Sequence, residues 1–189
     1  MKTVLGFLLV AFVAACSVPG PREPDRFFIL DAGAMQGARA RAGPALAVAP
    51  TTAASFYDTQ DIAFSRAPGT RAYYQFNRWT ERPQHSIHAL LAARIGGAGE
   101  KGAIRLDTHL EEIYHDASEP PGRARIAIAA ELVDPATRAV LARRTFTRSA
   151  PAASYDAPGA VRGFNQALAA LIGDIEGWVQ AESRPKPRQ

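Results

Sequence analysis

The chain has 189 residues, 47% of them hydrophobic and 21% charged, with a formal net charge of +4 and one cysteine. A single cysteine excludes an internal disulfide framework, and a chain of this length can bury roughly 70% of its unfolded surface in one core without crosslinks. Its arginines are scattered, without interleaved aromatics or a basic helix, so the positive balance does not describe a nucleic-acid surface.

The first element is an apolar run from Val4 to Val13 behind a basic start at Lys2. That is the length of a signal-peptide h-region; a membrane-spanning helix needs roughly 17–25 apolar residues. The run closes on Val13-Ala14-Ala15-Cys16. This quartet resembles the lipobox of bacterial lipoproteins, in which the chain is cut before the cysteine and its thiol and new amine are acylated. An ordinary secretory signal cut near a cysteine would share the apolar run, but the lack of any other cysteine favours acylation. Residues 1–15 are then the signal peptide, Cys16 is the lipidation site and residues 16–25 form an extended tether containing Pro19, Gly20, Pro21 and Pro24. By the same resemblance, Ser17 after the cysteine implies the periplasmic face of the outer membrane.

Residues 26–181 read as one domain, with a basic tail at 182–189. Arg26 to Leu30 and Leu46 to Pro50 are strand candidates, separated by a loop from Met35 to Gly43. Ile62 and Phe64 alternate with polar neighbours, Pro68-Gly69 signals a turn, and Ala72 to Asn77 completes a hairpin. Thr80 is placed to cap a helix with Pro83 in its first turn, Ile87, Leu90, Leu91 and Ile95 on one face, and Gly96-Gly97 as its stop. Ala103 to Ser149 has the alternation of a three-strand meander with one wet face, broken at Pro120-Pro121-Gly122 and Asp134-Pro135. Asp156 caps a final helix whose apolar face carries Phe164, Leu168, Leu171, Ile172, Ile175, Trp178 and Val179. The fold class is α+β: a largely antiparallel sheet with two helices packed on one face.

Candidates for chemistry are few. No nucleophile elbow, zinc-protease motif or phosphate-cradling glycine loop is present. His85 and His88 lie three apart on the first helix, but no third ligand follows nearby, so both read as solvated and no metal is called for. His109, Glu111, Glu112 and His115 read as the wet side of a strand rather than acid/base groups. No catalytic residue and no cofactor is expected. A periplasmic hydrolase would need a nucleophile and base that the sequence does not offer.

Phe56-Tyr57-Asp58, Asp61-Ile62, Arg66 and the run from Phe76-Asn77-Arg78-Trp79 to Arg82-Pro83 resemble the ABC-type transport auxiliary lipoproteins, which include the lipoprotein subunit of the paraquat-inducible Pqi system. The missing leucine before Asp58 departs from that family's pattern. The resemblance implies a non-enzymatic component of an ABC transporter working with a substrate-binding protein of the mammalian-cell-entry (MCE) type and moving phospholipid or other hydrophobic molecules between membranes. A lipoprotein subunit of an outer-membrane machine assembling lipopolysaccharide or barrels is the rival within that compartment. Candidate partner contacts are Phe56, Tyr57 and Trp79, although an indole between strand and helix is also a natural core anchor. On the last helix Gly163, Ala170, Gly173 and Gly177 fall opposite Leu168. Gly173 and Gly177, one turn apart, would let a partner or a second copy approach closely and form a homo-oligomer.

Overall fold

The computed structural model describes residues 23–32, 46–96 and 104–183. Cys16, the expected loop from Met35 to Gly43 and the tail from residue 184 lie outside the described residues.

Three long strands dominate: β6 (Ile104–Asp116), β7 (Arg123–Val133) and β8 (Val140–Pro151) pair antiparallel in chain order. Their inward rows, Leu106 and Leu110 on β6 and Ile126, Ile128 and Leu132 on β7, are almost fully buried. Each such side chain is worth about 1.5–3 kcal/mol over its exposed state. The β7–β8 turn is held by Asp134, whose Oδ1 accepts from the amides of Ala136 and Thr137. Gly122, at φ 85°, turns the chain between β6 and β7; a Cβ there would also collide with the His115 ring.

Five shorter strands complete the sheet: β1 (Arg26–Phe28), β2 (Leu46–Val48), β3 (Thr52–Ala53), β4 (Asp61–Ser65) and β5 (Ala72–Trp79). β4 and β5 form the expected antiparallel hairpin. The remaining junctions are parallel: β1 runs along β5, while β2, β3 and β4 lie end to end along one edge of β6. The sheet is therefore mixed, antiparallel in its long ladders and parallel where the short strands join, in the order β1-β5-β4-β6-β7-β8.

Helix α1 (Pro83–Arg94) follows β5, and α2 (Ala157–Glu182) follows β8. Thr80 does not cap α1. The cap position falls on Arg82, whose extended ψ of 135° precedes Pro83 and whose side chain makes no capping bond; a residue before proline is pushed out of the helical region, so the helix cannot begin earlier. Asp156 does cap α2, its carboxylate accepting from the Gly159 amide at 2.8 Å. Ile87 and Leu91 of α1 join Phe164, Leu168, Leu171, Ile172 and Ile175 of α2 in one core cluster with the sheet. Arg94 and Glu176 tie the helices together at 2.7 Å.

One irregularity re-aims a strand. Between Leu110 and Glu112 the β6 register slips by one residue, leaving Glu111 unpaired against β7. Such a bulge reverses which residues face inward beyond it. Leu106, Thr108 and Leu110 point inward before it, Ile113 and His115 after it. His115, expected on the wet side, is fully buried.

Candidate functional site

The motif residues around Asp58 and Trp79 converge at the junction of β3, β4, β5 and α1. Ser55–Tyr57 form a single 3-10 turn between β3 and β4. It delivers Asp58 to the entrance of α1, where its Oδ1 accepts from Arg82 Nη1 at 2.9 Å and Gln84 Nε2 at 2.6 Å. Arg78 Nη1 donates to Asp61 Oδ1 at 2.8 Å across the hairpin. Trp79, closing β5, packs edge-on against Phe164 of α2 with ring centroids 5.6 Å apart. The indole is 1% exposed, so it is a core anchor and presents no surface to a partner.

Tyr57 and Phe56 serve the other face of the sheet. The Tyr57 hydroxyl accepts from Arg71 Nε at 3.0 Å, and the Arg71 guanidinium lies 3.6 Å over the Tyr114 ring and 3.3 Å from Glu112. Burial raises the Tyr57 phenol above its ordinary pKa despite the nearby cation. Phe56 stacks on Tyr73 at 4.6 Å, and the Tyr73 hydroxyl donates back to the Phe56 carbonyl at 2.6 Å. Arg71 thus spends its guanidinium on the Tyr114 face, the Tyr57 hydroxyl and Glu112. Tyr57 is buried beside it, and Phe56 is half-buried. The role of Arg71 was not visible in the sequence, because its partners come from positions 57, 112 and 114.

The histidines are dispersed. His85 is exposed. His88 lies with Nδ1 3.0 Å from the Ala49 carbonyl, which makes that nitrogen the donor. His109 Nδ1 meets Thr52 Oγ1 at 2.8 Å. His115 sits with Nε2 3.0 Å from the Pro121 carbonyl and Nδ1 2.7 Å from the Tyr74 hydroxyl. A carbonyl only accepts, so Nε2 carries the proton and Nδ1 accepts from Tyr74. Burial lowers the His115 pKa and pushes the Tyr74 phenol up to about 12, so both stay neutral and keep that pairing. With both nitrogens engaged, His115 has none left for a substrate. Among the described residues no three His, Cys, Asp or Glu side chains group closely enough to hold a metal.

Gly173 and Gly177 lie on the exposed side of α2, where an added Cβ meets nothing within 4 Å. Gly163 does not share that side: its Cβ would come within 2.9 Å of Ala124 Cβ and the Pro151 carbonyl, so it marks close helix–sheet approach. The two exposed glycines line a groove of about 600 Å³ with Asp174, Trp178, Ala181 and Glu182 on α2 and residues 144–148 of β8. Its floor includes the edge-on contact of Phe146 with Trp178.

A family model described as an ABC-type transport auxiliary lipoprotein component matches residues 28–176. The fold is shared with a crystal structure from Xanthomonas campestris assigned to family model DUF330, at 20% identity and TM-score 0.71, covering 83% of this chain and 96% of that one. A crystal structure of an uncharacterised protein aligns at 11% identity and TM-score 0.64, covering 83% and 99%. No curated protein matches the chain.

Proposed function

Because the chain belongs to the ABC-type transport auxiliary lipoprotein component family, we propose that it is a non-enzymatic, lipid-anchored periplasmic part of a transporter moving phospholipid or another hydrophobic molecule between membranes. Its partner in this reading is an MCE-type substrate-binding protein, and its seat is the periplasmic face of the outer membrane. The family match, which spans almost the whole domain, is the observation that carries the reading.

Two features support it. No helix among the described residues is long and apolar enough to cross a membrane, and the lipidation sequence at Cys16 supplies an attachment. Two or more acyl chains hold firmly, since each buried methylene contributes about 0.8 kcal/mol. The motif that carries the family resemblance is spent on architecture, in Asp58 with Arg82 and Asp61 with Arg78. That suits a scaffold whose working surfaces lie elsewhere.

The test is co-purification of the lipidated protein after gentle detergent extraction. An MCE-type protein in stoichiometric amount is the expected companion. A β-barrel companion would instead favour the assembly-machine role and end this proposal.

A further inference from the structure

Residues 26–32 alternate between two environments. Phe28 packs against the core and Leu30 and Ala32 are buried, so Phe27, Ile29 and Asp31 face outward. The outward row of β6 carries Arg105, Asp107 and His109, as a wet face requires. At β1 the outward pair is apolar instead. Phe27 is 58% and Ile29 66% exposed, more than any other large apolar side chain among the described residues. Their exposure is not fraying. β1 holds its register with β5 throughout, and the Asp31 amide donates to Asn165 Oδ1 of α2 at 3.0 Å. Edge strands ordinarily carry charge at such positions, so this pair calls for a cover.

Size and position select that cover. A stable protein interface needs roughly 800 Å² per partner, and two side chains of this kind offer no more than about 500 Å². Residues 33–45 contain one apolar side chain larger than proline, Met35, and so have little to lay over the pair. Phe27 follows the lipidation site Cys16 by eleven residues. At about 3.1 Å per residue, a proline-rich tether of that length keeps it within roughly 34 Å of the anchor. The other adjacent exposed pair, Val140 and Leu141, begins β8 at the far edge of the sheet. Charge narrows the surface further. Glu23, Asp25 and Asp31 are exposed around the pair against Arg26 alone, which favours zwitterionic over anionic headgroups.

Two side chains are too few to recruit a protein from solution, but they can seat one that is already tethered. An acyl anchor makes the second contact intramolecular, so its effective concentration is high and a weak interaction suffices. We infer that Phe27 and Ile29 are a bilayer-seating edge, dipping into the headgroup–acyl boundary of a zwitterionic membrane beside the protein's own lipid. The β1 backbone stays in the hydrated headgroup layer, where water satisfies its free amides and carbonyls. The domain is then held with β1 against the membrane and β8 away from it. This rests on the proposed lipid anchor and is independent of which transporter the protein serves.

The test uses the lipidated full chain in vesicles of phosphatidylcholine and phosphatidylethanolamine. With Cys16 acylated, Ile29→Cys or Val140→Cys supplies the one free thiol for a polarity-sensitive dye. Both positions are exposed, so neither change disturbs the core. The dye at 29 should emit at shorter wavelength and be quenched severalfold more than at 140 by lipids carrying a nitroxide near the headgroup. Adding Phe27→Asp should bring the signal at 29 down to the level at 140, with an unchanged circular dichroism spectrum. The inference is overturned if vesicle-bound protein gives the same signal at 29 and 140. A dye at 29 that shifts without lipid quenching overturns it too, because protein then covers the pair. Two dyes per chain together with failure to float with vesicles would end the anchor reading, and this inference with it.

Discussion

At His115, burial and two hydrogen bonds hold the imidazole neutral, with Tyr74 donating to Nδ1 and Nε2–H donating to Pro121. Its folded pKa lies below the 6.5 of the free side chain, so between the two values the unfolded chain binds more protons. The resulting stability is complete above about pH 6.5 and falls as pH drops below it, levelling once the folded pKa is passed. Asp116 and Asp156 face the ring with opposing charge and limit the effect. Melting temperatures between pH 7.5 and 5 should therefore fall more steeply in the wild type than in His115→Gln; equal slopes would remove His115 as the cause. Nothing in the sequence announced this burial, since alternation alone keeps residue 115 in phase with His109 and only the bulge at Glu111 breaks that phase. Trp79 was more legible: a large apolar ring between strand and helix finds a core wherever one exists. Its replacement by alanine should cost about 3–5 kcal/mol in denaturant unfolding. A normal midpoint with weaker partner binding would return Trp79 to a working surface.

For the elements, periodicity found both helices and the meander, because each buries one face and the pattern follows. It did not find the parallel junctions of β1 with β5 or of β2, β3 and β4 with β6, where two or three residues suffice to pair and leave no periodic trace. Helix α2 shows a second limit. A single stripe centred on Leu168 places Gly163 with Gly173 and Gly177, yet the N-terminal half sinks deeper, burying Ala160, Val161, Gly163 and Phe164 together. The three glycines should therefore respond with opposite signs to the same change. Gly173→Ala and Gly177→Ala should each stabilise the fold by about 1 kcal/mol, the helix-propensity difference. Gly163→Ala should lower the melting temperature, because its Cβ meets Ala124 and the Pro151 carbonyl at 2.9 Å. Three changes of like sign in thermal unfolding would sink this account of the helix.

Taken whole, the molecule has two unlike ends. The chain enters the sheet at β1, a three-residue strand with one strand partner among the described residues, whereas β8 at the opposite edge is long and has the longest helix packed on its face. Five inter-strand spacings of about 4.8 Å set these ends roughly 24 Å apart. Cys16→Ala should leave the protein uncut or shift it from the outer-membrane fraction to the soluble one; wild-type fractionation of that variant would end the anchor proposal. If the chain is anchored upstream of β1 as proposed, that strand is also a mechanical fuse. Under tension this three-residue ladder, the first that the pull reaches, parts first, while the β6–β7–β8 body stays intact. Freeing residues 26–32 would lengthen the leash by roughly 23 Å, so a tethered domain could pay out reach before it unfolds. In single-molecule stretching from the N-terminus, this is an early, small, reversible extension ahead of the main rupture.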